Sequence, residues 1–81
     1  MKLPRDLSGE ELIKALKTFG YQVSRQTGSH VRLTTNTPSE HHLTIPAHRS
    51  LRIGTLAAIV QDVATHLKQS REDVQRKLFG R

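Results

Sequence analysis

The spacing of apolar residues changes twice along this chain, and that change constrains the fold more than any other feature. Leu12, Ile13, Leu16 and Phe19 recur at the spacing of one helix face. From Tyr21 the period becomes two: Val31 and Leu33 alternate with polar residues, and so do Leu43 and Ile45. Leu56, Ile59, Val60, Val63 and Leu67 then return to positions i, i+3, i+4, i+7 and i+11 of an amphipathic helix. The strands follow one another with no helix between them, so short turns join them and they pair antiparallel. The fold class is therefore α+β, with a three-stranded antiparallel sheet packed on helices.

Local signals place the boundaries. Ser8-Gly9-Glu10-Glu11 has the S-x-x-E form of a capping box, and Gly20 supplies the stop, which gives a first helix over about residues 9–19. Strict alternation then sets Tyr21, Val23 and Arg25 on one side of the first strand and Gln22, Ser24 and Gln26 on the other. Thr27-Gly28-Ser29 reads as a hairpin turn into a strand over residues 30–35. Asn36-Thr37-Pro38-Ser39 is a second turn, before a strand over residues 41–46 that Pro46 ends. Ser70-Arg71-Glu72-Asp73 resembles another cap, opening a short C-terminal helix over residues 70–79 with Val74 and Leu78 on one side. Residues 1–7 read as a leader with little structure of their own, and residues 1–81 as one domain. The order is α-β-β-β-α plus the terminal helix.

With 81 residues the core is small, since a chain of this size buries only about 60% of its unfolded surface. There is no Cys, which removes disulfides and thiolate metal sites and fits a reducing compartment. The opening MKLPRDLSGEEL has no apolar run of signal-peptide length, and no stretch approaches membrane-spanning length, so a soluble, cytoplasmic protein without membrane contact is expected. Thirteen Lys and Arg against seven Asp and Glu leave a net charge of +6, which suits a polyanionic partner, nucleic acid or acidic protein. With two Phe, one Tyr and no Trp, the chain lacks the aromatic faces of a stacking single-strand binder, so any RNA contact rests on charge and shape.

Alternation places His30, Arg32, His42 and Thr44 on the sheet face that the core does not need. His30 opens its strand directly after the turn. An imidazole has an ordinary pKa of about 6.5, so it can take a proton from an RNA 2′-hydroxyl and return one to a leaving 5′-oxygen. Arg25 and Arg32 are candidates to stabilise charge at phosphorus, and Gly28 lets backbone approach a phosphate closely. His48, after the third strand, is a candidate phosphate contact, and Arg49, Arg52 and Lys68 would extend the track. On this local pattern alone, His30 reads more readily as a solvated hairpin histidine. Adjacent His41 and His42 point to opposite faces and cannot readily chelate one ion, and no H-x₃₋₅-H or CxxC spacing is present, so no metal site and no cofactor are expected. Glu10-Glu11 and Glu72-Asp73 read as helix-cap carboxylates.

The segments LIKALKTFGYQVSRQTGSHVRL and LTIPAHRSLRIGTLAAIV, over about residues 10–60, resemble the HicA-type mRNA interferase toxins of type II toxin–antitoxin systems. The likeness lies in the L-I-K-x-L helix with its Gly stop, R-Q-x-G-S-H, x-I-P-x-H and G-T-L, in that order. It implies a double-stranded-RNA-binding-domain-like fold and ribosome-independent cleavage of mRNA. It also implies a HicB-type antitoxin partner that covers the active site, and His30 of G-S-H as the catalytic group. In that setting Gly28 and Ser29 shape the turn, and Arg25, Arg32 and His48 join Gly28 and Ser29 as RNA- or phosphate-binding residues. The expected reaction is a metal-independent 2′-hydroxyl attack that leaves a 2′,3′-cyclic phosphate. Where family members often carry a lysine pair before G-T-L, this chain has Arg52-Ile53. The terminal helix resembles one that some relatives add, and it could serve a homodimer within the toxin–antitoxin complex or contact with the antitoxin. The competing readings from other classes are a non-catalytic structured-RNA-binding module and an interaction module for an acidic protein.

Overall fold

The computed structural model describes residues 3–80, so Met1 and Lys2 of the expected leader, and Arg81, lie outside the described residues. Six elements follow in order: α1 (Gly9–Lys17), β1 (Gln22–Thr27), β2 (His30–Thr35), β3 (His41–Pro46), α2 (Ile53–Leu67) and α3 (Arg71–Phe79). The strands form one antiparallel sheet in the order β1-β2-β3. Helices cover one face of it, and the Cα atoms span 31 × 30 × 18 Å, the thickness of two layers.

The capping box is present as the sequence predicts. The Ser8 hydroxyl accepts from the Glu11 N–H at 3.0 Å, and the Glu11 carboxylate accepts from the Ser8 N–H at 2.9 Å. Those two bonds hold the Glu11 carboxyl below its ordinary value, the backbone bond acting most. Ser70 caps α3 through its side chain, accepting from the Asp73 N–H at 3.1 Å. Helix α1 ends at Lys17, two residues short of the expected limit, because Thr18 caps it and the chain then turns through Gly20 at φ +94°.

The core joins Leu12 and Leu16 of α1, Val31 and Leu33 of β2, Leu43 and Ile45 of β3, and Leu56, Val60 and Val63 of α2. Val74 and Leu78 of α3 close it. Residues 3–7 form no helix or strand, yet Leu3 and Leu7 pack against this core. The Leu7 carbonyl also accepts from the Leu51 N–H at 2.7 Å.

Strand β1 departs from strict alternation. Its pairing runs Gln22 with Thr34 and Val23 with Leu33, then skips Ser24 so that Arg25 lies opposite Arg32. A β-bulge of this kind sets two residues against one and changes which face the rest of the strand presents. Arg25 therefore leaves the side it was expected to share with Tyr21 and Val23 and joins the outer face. No helix covers β1, and all six of its residues are exposed, Val23 among them at 45%.

Candidate RNA-binding and cleavage face

Three cross-strand rows make up the outer face of the sheet. The first is Thr27–His30–Pro46, the second Arg25–Arg32–Thr44 and the third Gln22–Thr34–His42. Directly opposed residues in an antiparallel pair share a face, with Cβ atoms about 5 Å apart. Successive same-face residues on one strand are about 7 Å apart. His30 thus stands one row from a pair of arginines.

The turn that presents His30 is built from two residues. Thr27 pairs with His30, leaving Gly28 and Ser29 between them, and Gly28 takes φ +56°. Two-residue hairpins of the type that puts glycine first need that positive φ. Nothing lies within 4 Å of a Cβ built at Gly28, so the demand for glycine here is conformational and the space above it is open.

Arg25 and Arg32 are both exposed, and like charges directly opposed on a sheet destabilise it. Among the described residues the carboxylate contacts to basic side chains are His41–Asp62, His42–Glu40 and Arg76–Asp73, and none of them involves either Arg25 or Arg32. Arg25 and Arg32 thus bring two solvent-exposed guanidiniums to opposed positions of the outer face, groups whose planar donors suit phosphate.

The loop after β3 is fastened to this corner. The Ala47 N–H donates to the Ser29 carbonyl at 2.6 Å, and the Gly9 N–H donates to the His48 carbonyl at 2.9 Å. A Cβ at Gly9 would collide with the Pro46 carbonyl oxygen, so the start of α1 and the end of β3 touch backbone to backbone. His48 itself is exposed and lines an open cleft of about 260 Å³ with Ser8, Glu10, Ala47 and Arg49. The structure thus gathers His30, Arg25 and Arg32 on one face and sets the His48 loop against their turn. Arg52 and Lys68 cap opposite ends of the 15-residue α2, about 22 Å apart, so they do not share a track.

A second polar group lies on the helical side, and sequence reasoning missed it. The Tyr21 side chain is 1% exposed and its hydroxyl meets His41 Nδ1 at 2.8 Å. His41 Nε2 meets Asp62 Oδ1 at 3.0 Å and the ring stacks on His66, with centroids 4.2 Å apart and planes 10° from parallel. His66 Nε2 donates to the Thr37 carbonyl at 3.2 Å. Burial, and secondarily the Asp62 charge, pushes the Tyr21 phenol up to about 12. This group binds α2 to the strand ends and leaves the outer face free. The available signal was Tyr21 itself, because a buried phenol needs a hydrogen-bond partner. Its partner lies 20 residues away.

Fold and site together define a small basic α+β domain whose sheet turns an uncovered, arginine-bearing face to solvent. The chain belongs to the HicA toxin family of bacterial toxin–antitoxin systems: the family model matches residues 9–71, the greater part of its length and beyond the 10–60 span of the sequence resemblance. No curated protein and no solved structure matches it. Among the described residues, no helix is long and apolar enough to cross a membrane.

Proposed function

We propose that this chain is the toxin of its system, acting as a ribosome-independent mRNA endoribonuclease. A HicB-type antitoxin neutralises it by covering the outer face. Family membership supports the toxin role, and the observation that carries the chemistry is the unneutralised Arg25–Arg32 pair one row from the turn histidine.

In this reading the arginines hold the scissile phosphate and stabilise the added negative charge as phosphorus becomes five-coordinate. His30 takes the proton from the 2′-hydroxyl as the 2′-oxygen bonds to phosphorus. It then returns that proton to the 5′-oxygen as the P–O5′ bond breaks, leaving a 2′,3′-cyclic phosphate and a 5′-hydroxyl. Gly28 and Ser29 hold the turn, and His48 reaches the flanking RNA from its cleft. A positioned acid–base group contributes about 10²–10⁴-fold, so His30→Ala should lose rate of that order. None of these steps calls for a metal.

The test is a long mRNA incubated with the purified protein in excess EDTA, with His30→Ala alongside and its fold checked by circular dichroism. Cleavage by wild type alone, with cyclic-phosphate ends, is the expected result. A 5′-phosphate and a free 3′-hydroxyl would refute the transesterification. RNA binding without cleavage by either protein would make the domain a non-catalytic binder of structured RNA, and absence of both would leave an interaction module for an acidic partner.

A further inference from the structure

The third row of the outer face holds a second histidine with an unusual set of partners. His42 Nε2 meets Glu40 Oε2 at 2.8 Å, and its Nδ1 meets the Thr34 hydroxyl at 2.8 Å. The Thr34 hydroxyl meets the Ser24 hydroxyl at 2.8 Å, and Ser24 Oγ lies 3.3 Å from the Arg32 carbonyl oxygen. These contacts form one chain of hydrogen bonds across all three strands. It ends on Ser24, the extra residue of the bulge that swings Arg25 to face Arg32.

Proton counting gives this chain two states. With a neutral imidazole, Nε2–H donates to Glu40 and Nδ1 accepts from Thr34. The Thr34 oxygen then accepts from Ser24, whose only proton is used, and the Arg32 carbonyl goes without it. With a charged imidazolium, Nδ1–H donates to Thr34, Thr34 donates to Ser24, and Ser24 donates to the Arg32 carbonyl. Protonation therefore reverses two hydroxyl groups, moves no heavy atom, and adds a bond that ties the bulge to the backbone of Arg32.

We infer that His42 is a pH-responsive positioning residue for the Arg25–Arg32 anion site, acting through Thr34 and Ser24 without touching RNA itself. This rests on the reading of that site as the phosphate contact. The charged and titratable groups around His42 on its face are Glu40 on the approach to β3, Arg32 on β2 and Arg25 on β1 beyond it. The helices lie on the other face, where His41 points instead. Acidification that protonates the imidazole therefore fastens the bulge.

Two measurements test it, and the first needs no RNA. In an NMR titration of the free protein, the backbone amides around Ser24 and Arg32 should follow the His42 ring, and should stop doing so in Thr34→Val and in His42→Gln. Amides that titrate unchanged in Thr34→Val, or never follow the ring in wild type, would overturn the coupling. In the second, affinity for a short RNA is compared at pH 5.5 and 8. One added hydrogen bond is worth about two- to twelvefold in an equilibrium constant, so wild type should exceed both variants by up to that factor at pH 5.5 and match them at pH 8. If Thr34→Val kept the full wild-type pH dependence while His42→Gln lost it, His42 would be contacting phosphate directly and the positioning role would fall. If wild type bound no RNA at either pH, the anion-site reading would fail while the first measurement still decided the coupling.

Discussion

The inner and outer faces of β2 and β3 are made from alternate residues of the same twelve positions, and they follow opposite rules. Val31, Leu33, Leu43 and Ile45 are at most 5% exposed and belong to one core with residues of the three helices. His30, Arg32 and Thr44, their neighbours in sequence, are exposed. Even the two adjacent histidines divide this way, His41 bracing α2 through Asp62 and His42 joining the hydroxyl chain on the open side. The inner face is fully satisfied, with no buried side-chain polar atom lacking a partner among the described residues. The outer face leaves two opposed arginines unpaired. A fold that needed only stability would gain from a carboxylate there. On the proposed reading, RNA supplies the counter-charge of this face.

The largest expected effects lie on the inner face. Leu33→Ala, at a position 0% exposed, should cost about 2–5 kcal/mol in urea unfolding, while Arg32→Ala next to it should leave stability unchanged or raise it slightly. If the two cost the same, the division of labour between the faces would be wrong. Gly9→Ala should also destabilise strongly, because its Cβ would meet the Pro46 carbonyl and part α1 from the end of β3.

Next in size is the Tyr21 group. Tyr21→Phe leaves His41 Nδ1 without its partner and should cost about 1–3 kcal/mol. The phenol has a linked pH effect. Its folded value is about 12 against an ordinary 10.0, so the folded state keeps the proton where the unfolded chain gives it up. Stability from this group is complete below pH 10 and is lost as pH rises toward 12. Tyr21 is the only tyrosine, so tyrosinate absorbance should titrate near 12 in buffer and near 10 in denaturant. A midpoint near 10 in the folded protein would mean the ring is not held as described. A smaller effect is expected for Ser8→Ala, about 1 kcal/mol from loss of the cap. The smallest stability change belongs to His30→Ala, within about 0.5 kcal/mol, as for an exposed surface position.

Much of this was legible in the sequence because short-range rules decide it. Alternation gave the four inner residues of β2 and β3, the S-x-x-E pattern gave the α1 cap, and Gly28 gave the hairpin. The bulge was not legible. Nothing in Val23-Ser24-Arg25 distinguishes a bulged strand from a regular one, since the skipped position depends on pairing with β2. Strict alternation therefore put Arg25 on the wrong face and hid its opposition to Arg32. The bracing of His41 by Tyr21 and Asp62 was hidden for a similar reason, as its members lie 20 and 21 residues apart. Both misses depend on what a segment pairs with rather than on the segment itself, and one of them assembles the candidate site.

The most direct test pairs stability with RNA binding in one double variant, Arg25→Ala/Arg32→Ala. Affinity for a short RNA, measured across a salt series, should fall at least tenfold. Each lost single-strand phosphate contact should make the log–log salt slope shallower by about 0.7. The melting temperature should hold or rise, since a like-charge repulsion has been removed. A variant that melts earlier yet binds RNA as wild type does would contradict the assignment of the outer face, because the arginines would then serve the fold and not a phosphate.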